Sequence, residues 1–215
     1  MIKNLVVSAF VTALVAAASP ANAQSGEPVA GKDYLEITNG TPPDPSSNQV
    51  VVEEFFNYIC PACFGFEPLL VAWTAKLPPY AKLVHVPATF RPDFIQYARA
   101  YYAAEALGLL DKTHAAVYEA IHVTHKIPAE GDKVDEDRIA GFYAGYGVDK
   151  AQFLNTMKSF GVDAKVKRAT ERMKRSQITG TPSLVVNGRY LVLRGDSSQD
   201  MLRIASYLIE KEHKK

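Results

Sequence analysis

The only cysteines of this 215-residue chain form Cys60-Pro61-Ala62-Cys63, which closes one apolar stretch and opens another. Val50-Val51-Val52-Glu53-Glu54-Phe55-Phe56 is β-branched and aromatic and reads as a central strand. From Pro61 to about Lys76 the pattern is helical, and it halts at Leu77-Pro78-Pro79. A strand that feeds directly into a helix puts both thiols at the helix N-terminus. There a sulfur faces unpaired backbone N–H groups and the positive end of the helix dipole. Both stabilise a thiolate, which lowers the pKa and makes the sulfur a competent attacking or leaving group. Pro61 suits the first helical position because it gives up no hydrogen bond there. Cys60 is expected to be the exposed, attacking sulfur. Cys63, one turn inward, is expected to be the buried sulfur that closes an intramolecular disulfide.

Two blander readings compete. Two thiolates do not complete a tetrahedral zinc shell, and no second cysteine pair exists. His122 and His125 stand three apart and offer half a site at most; histidines in helical stretches are more often surface or packing residues. An inert structural disulfide between such close residues closes a loop too short to stabilise much. Redox activity is the favoured reading, with no metal and no cofactor. The charge balance, 24 Lys and Arg against 23 Asp and Glu, argues against a nucleic-acid partner. With 47% hydrophobic and 22% charged residues, a core of ordinary size must hold the fold.

Residues 1–23 read as a cleaved signal peptide. Lys3 gives a positive start, Leu5 to Ala18 are uncharged, and Ala21-Asn22-Ala23 offers a small-x-small cleavage pattern before Gln24. The apolar run is short of the roughly 20 residues a membrane span needs. Export, most simply to a bacterial periplasm, supplies a compartment where disulfides persist.

The remaining chain has a clear order. Tyr34 to Thr38 alternates as a short edge strand, and a turn-rich connection follows from Asn39 to Ser47. After the central strand and first helix, Leu83-Val84-His85-Val86 is a further strand ending at Pro87. Helices are then expected from Asp93 to Gly108, Asp111 to His125, Asp135 to Ala144, Asp149 to Ser159 and Asp163 to Ser176. Ser183 to Val186 and Tyr190 to Leu193, joined by Asn187-Gly188, form a hairpin, and Gln199 to Lys211 is a closing amphipathic helix. The order β-β-α-β, a helical insert, then β-β-α describes an α/β protein with a mixed sheet and an inserted helical subdomain.

Gly180-Thr181-Pro182-Ser183 is the second signal, with a proline where a strand can begin. Strand, Cys-Pro-x-Cys, helix, helical insert, then Thr-Pro before a hairpin and final helix resembles the DsbA family. The likeness runs from about Val50 to Lys211 and includes Glu54-Phe55-Phe56, Phe66-Glu67-Pro68 and Val185 to Tyr190. It implies a thioredoxin-like fold: a thioredoxin-like domain at 24–90 and 179–215, interrupted by a helical insertion at 91–178. It also implies a cis Thr181–Pro182 bond facing the sulfurs, with the Thr181 backbone pairing with a substrate segment and Pro182 excluding metal. By the same likeness Glu54, six residues before Cys60, is the acid buried beneath the cysteines, with Glu53 its competitor. A buried carboxylate there can raise its own pKa and exchange protons with Cys63.

Three positions depart from the common family pattern. Ala62 stands where many members have His, which removes a donor and a positive charge beside Cys60 and should weaken oxidising power. Thr181 stands where many have Val, and Leu83 where some have a lysine near the buried acid. Of the aromatics near the motif, Phe55, Phe56, Tyr58, Phe64 and Phe66, about half are expected in the core and the rest in an apolar apron around Cys60. His85 reads as a packed residue rather than a catalyst. The resemblance implies a monomeric enzyme that donates its Cys60–Cys63 disulfide to folding exported proteins with free cysteines. A DsbB-type membrane quinone reductase would reoxidise it. An isomerase or reductase of the same superfamily, or a non-catalytic metal- or peptide-binding module, are the alternatives.

Overall fold

The computed structural model describes residues 26–40, 48–195 and 197–214. Residues 1–23, which the sequence leads one to expect as a signal peptide, and most of the turn after Gly40 lie outside them. Seven helices and five strands are described. β1 (Tyr34–Glu36) and β2 (Val50–Phe56) are followed by α1 (Pro61–Thr74) and β3 (Ala81–Pro87). Then come α2 (Pro92–Ala106), α3 (Leu110–His122), α4 (Glu136–Ala144), α5 (Lys150–Met157) and α6 (Phe160–Arg175). The hairpin β4 (Ser183–Val186) and β5 (Tyr190–Val192) and the helix α7 (Ser198–His213) close the chain.

The strands form one mixed sheet in the order β1-β5-β4-β2-β3. β2 runs parallel to β3, as the α1 crossover requires, and antiparallel to β4. In the β4–β5 turn both Asn187 (φ 54°) and Gly188 (φ 64°) take positive φ, and Arg189 N–H closes the turn on the Val186 carbonyl at 3.0 Å. Short, alternating β1 lies at one edge, as its pattern suggests.

Helix ends follow local chemistry. Gly108 (φ 68°) stops α2: its N–H reaches Glu105 at 3.1 Å, and Leu109 N–H reaches the Ala104 carbonyl at 2.8 Å. α3 ends at His122 rather than His125, which has φ 51°, a left-handed conformation that no helix continues through. Ser159 is not the end of α5 but the cap of α6: its hydroxyl accepts from Val162 N–H at 3.3 Å, so α6 starts three residues before Asp163.

Two apolar clusters hold the layers together. In one, Val50, Val52 and Leu184 pack with Phe66 and Leu70 of α1 and with Ile204 and Leu208 of α7. In the other, Phe55, Val86 and Val185 join Tyr97, Val117, Ile139 and Phe153 of the helices between β3 and β4. Each such side chain fully buried contributes about 1.5–3 kcal/mol relative to exposure. The sulfurs sit where β2 leaves the sheet, roofed by the second cluster.

Candidate active site

The turn from β2 into α1 is fixed by Asn57. Its side-chain amide donates to the Ala88 and Phe94 carbonyls at 3.0 and 3.1 Å, and its Oδ1 accepts from Ile59 N–H at 3.2 Å. Its backbone carbonyl accepts from Cys60 N–H at 3.1 Å. The turn thereby leaves Cys60 as the N-cap of α1, with Pro61 next. The capping acceptor is the sulfur itself: Cys63 N–H donates to Cys60 Sγ at 3.4 Å.

Both thiols are free. Cys60 is 8% exposed and Cys63 fully buried, so Cys60 offers a narrow edge to solvent rather than an open face. The Cys60 thiol is lowered to about 6. The largest cause is a hydrogen bond from Cys63; the Thr181 side chain and the backbone N–H groups of Cys63 and Ala62 add to it, against the opposing effect of burial. Burial pushes the Cys63 thiol far up, and the Cys60 sulfur and the Glu54 charge push it the same way. Pro61 and Ala62 are exposed beside the sulfurs.

β4 delivers the second motif. Ser183 pairs with Phe55 in the antiparallel ladder, which brings the residues before it against the first turn of α1. The Thr181–Pro182 bond is cis, Pro182 is buried, and Cys60 Sγ lies 3.6 Å from the Thr181 carbonyl oxygen.

Beneath the sulfurs the two neighbouring glutamates of β2 part company. Glu54 is fully buried, and its Oε2 meets Nδ1 of His85, its direct partner on β3, at 2.7 Å. Its Oε1 is buried without a protein partner. Glu53, also buried, points to the opposite face and pairs with Arg172 of α6 at 3.0 Å. Burial raises its pKa, and the guanidinium only partly offsets this. His85 is therefore a partner of the buried acid and not merely a packing residue. Burial would lower its pKa, but the Glu54 hydrogen bond and the charges of Glu54 and Glu67 more than reverse that.

Three further residues complete this polar layer. Tyr58 Oη lies 2.9 Å from His114 Nδ1, and His114 Nε2 lies 3.5 Å from Glu67 Oε1, an ion-pair distance without hydrogen-bond alignment. The His85 and His114 rings are 4.6 Å apart. The sequence reading gives none of Tyr58, His114, Glu67 and Asn57 a site role; Tyr58 enters it only as an aromatic near the motif, and Glu67 only within Phe66-Glu67-Pro68. The aromatics also divide differently from expectation, since Phe55, Phe56, Tyr58 and Phe66 are all buried. Phe64 alone is partly open, stacked on His122 at 4.8 Å. His122 Nε2–H donates to the Tyr58 carbonyl, 2.7 Å away, which ties α3 to the site. No metal-binding group of three or more ligands occurs among the described residues.

A family model described as DSBA-like thioredoxin domain matches residues 68–206, which hold Thr181 and Pro182 and begin beyond Cys63. The thiol:disulfide interchange protein DsbA of Pseudomonas aeruginosa is 37% identical over 207 residues, covering 94% of this chain and 95% of the relative. The protein of that name from Azotobacter vinelandii is 36% identical over 185 residues, covering 85% and 83%. The crystal structure of oxidoreductase DsbA from Xylella fastidiosa has a TM-score of 0.83 at 38% identity, covering 88% of this chain and all of that one. A thiol pair at the first turn of α1, a Thr-Pro loop against it and these likenesses agree: the chain belongs to the DSBA-like thioredoxin family.

Proposed function

We propose that this protein is a thiol–disulfide oxidase that donates a Cys60–Cys63 disulfide to exported proteins as they fold. A substrate thiolate attacks Cys60 Sγ, forming a mixed disulfide and releasing Cys63 as a thiolate, which takes up a proton. A second substrate thiolate then attacks the substrate sulfur of the mixed disulfide. Cys60 leaves as a thiolate, and two electrons have passed to the enzyme. The observation that carries this reading is the asymmetry of the pair: Cys60 is capped by Cys63 N–H and lowered to about 6, while Cys63 is buried and held as a thiol. A stabilised Cys60 thiolate favours the reduced form and so makes the disulfide oxidising.

Thr181 supplies backbone groups for the substrate segment, and Pro182 shields the sulfurs from metal capture. Glu54 exchanges protons with Cys63. Residues 24–90 and 179–215 form the thioredoxin-like domain around the site, and 91–178 the helical insertion that roofs it. The signal peptide, residues 1–23, directs the protein to the periplasm, where it acts as a monomer and is reoxidised by a DsbB-type quinone reductase. No helix among the described residues is long and apolar enough to cross a membrane. Ala62 and Thr181 favour an isomerase or reductase as the second reading.

Mixed-disulfide trapping tests the assignment. Cys60→Ser should abolish exchange with a reduced unfolded substrate, and Cys63→Ser should accumulate a covalent substrate adduct. Equal activity of both variants and the parent protein would remove the proposal.

A further inference from the structure

Closing the Cys60–Cys63 disulfide from a mixed disulfide requires Cys63 to lose its proton, yet neither Cys63 nor Glu54 reaches water. His85 differs. It bonds Glu54 Oε2 through Nδ1 at 2.7 Å while keeping 26% of its side chain exposed. It also lines the crevice that opens between edge strand β3, α2 and α6. With Leu83 apolar on the same face of β3, His85 is the basic side chain that Glu54 holds. The neighbouring His114 is placed for a different task. Its Nδ1 lies 2.9 Å from the hydroxyl of buried Tyr58, and its Nε2 stands 3.5 Å from Glu67 Oε1.

Building on the redox reading above, we propose that His85 is the positioning residue through which the buried site discharges its proton. The proton leaving Cys63 is accepted at Oε1 of Glu54, which has no protein partner, and one leaves Nε2 of the part-exposed His85 ring for water. An imidazolium–carboxylate pair and an imidazole–carboxylic acid pair hold the same number of protons. The pair therefore accepts one and releases one without a net charge building up in the core, where an unpaired charge is costly. The Cys63 thiolate attacks Cys60 Sγ, the Cys60–partner S–S bond breaks, and the partner's sulfur leaves with the electron pair. In the reverse direction water protonates His85 as the Cys63 thiolate is released and reprotonated.

The titratable and charged groups that face His85 come from both sides. On the buried side they are Glu54 from β2, Glu67 from α1 and His114 from α3. In the crevice they are Glu105 of α2 and Lys165, Arg168 and Arg172 of α6. Lys165 is paired with Glu105, and Arg172 with Glu53. Burial lowers His85, but the Glu54 hydrogen bond and the charges of Glu54 and Glu67 hold it above its ordinary value.

His85→Asn retains a donor toward Glu54 but cannot carry a proton. The test is the rate of disulfide closure in the glutathione mixed disulfide of the mature protein, followed by stopped-flow fluorescence across pH 5 to 9. His85→Asn should slow closure about tenfold or more and flatten the pH dependence that the parent shows, while the Cys60 thiolate titration stays unchanged. A folded His85→Asn with the parent's rate and pH profile overturns the relay. Should that variant not fold, nitrogen-15 NMR of the parent decides: the His85 ring must change its protonation between reduced and oxidised forms, and an unchanged ring overturns the proposal. Absence of any glutathione mixed disulfide or closure in the parent would instead sink the redox reading itself.

Discussion

Cys60 Sγ lies 3.6 Å from the carbonyl oxygen of Thr181, a residue 121 positions away in sequence. The contact exists because β4 pairs with β2 and sets the loop before Ser183 against the first turn of α1. The carbonyl can accept only from the Cys60 thiol; the Thr181 side chain is among the groups that lower Cys60, so its reactivity is shared by two segments rather than set by the Cys-x-x-Cys motif alone. Ala62, which cannot donate a side-chain hydrogen bond, leaves that task to Thr181, the Cys63 thiol and the backbone.

Reduced protein should therefore show a single thiolate titrating near pH 6, read by absorbance at 240 nm, and Cys63→Ser should retain one low-pH titration. Thr181→Val removes one of the contributions that lower Cys60 and should raise its midpoint by about one unit, the worth of a hydrogen bond to a charged group. An unchanged midpoint in Thr181→Val would mean that the side chain does not reach the sulfur.

The same titration predicts a pH-dependent stability that only the reduced form has. The Cys60 pKa in the folded state is depressed from its ordinary 9.0 to about 6, so the stabilisation is complete above pH 9. It declines as pH falls toward 6 and is gone below it, a total of about 4 kcal/mol at about 1.4 kcal/mol per unit. Urea unfolding at pH 5 and pH 8 should show the reduced protein gaining stability relative to the disulfide form as pH rises. A constant difference across that window would contradict the assignment.

Asn57 should matter as much to the site as residues that touch sulfur. Asn57→Ala loses three side-chain hydrogen bonds in the core, two donated to the Ala88 and Phe94 carbonyls and one accepted from Ile59 N–H. The expected loss is about 2–3 kcal/mol in urea unfolding. A loss below about 0.5 kcal/mol, the range of ordinary surface substitutions, would show that the turn holds without it.

Removing Arg172 strands a buried carboxylate. Arg172→Leu should cost about 1–3 kcal/mol, less than for a fully buried pair because the guanidinium is 41% exposed. Glu53→Gln in that background should restore most of the loss, since the uncompensated charge is gone. If the double variant is no more stable than Arg172→Leu, packing by the arginine stem and not charge is responsible.

Much of this could be read from residue pattern. The β-branched run at Val50 to Val52, Pro61 at the first helical position, Gly108 past α2 and Asn187-Gly188 in the hairpin each carry a local reason for the structure that forms. What resisted reading depends on elements distant in sequence meeting. Alternation puts Glu53 and Glu54 on opposite faces, but only the packing of α1 and α6 decides which face carries the sulfurs. His85 becomes the partner of Glu54 only once α1 has crossed over and β3 has taken its register beside β2. His114 and Tyr58 meet because α3 folds back over the α1 turn. Helix limits missed their mark where one side chain decides them, as Ser159 does by capping α6 rather than ending α5.

The measurement that bears most directly on the central claim is the equilibrium reduction potential of Cys60–Cys63 in glutathione buffers, followed through Trp73 and tyrosine fluorescence. A Cys60 thiolate stabilised as described predicts an oxidising couple, at about −150 mV or higher. A value of about −200 to −270 mV would contradict the oxidase and make the protein an isomerase or reductase.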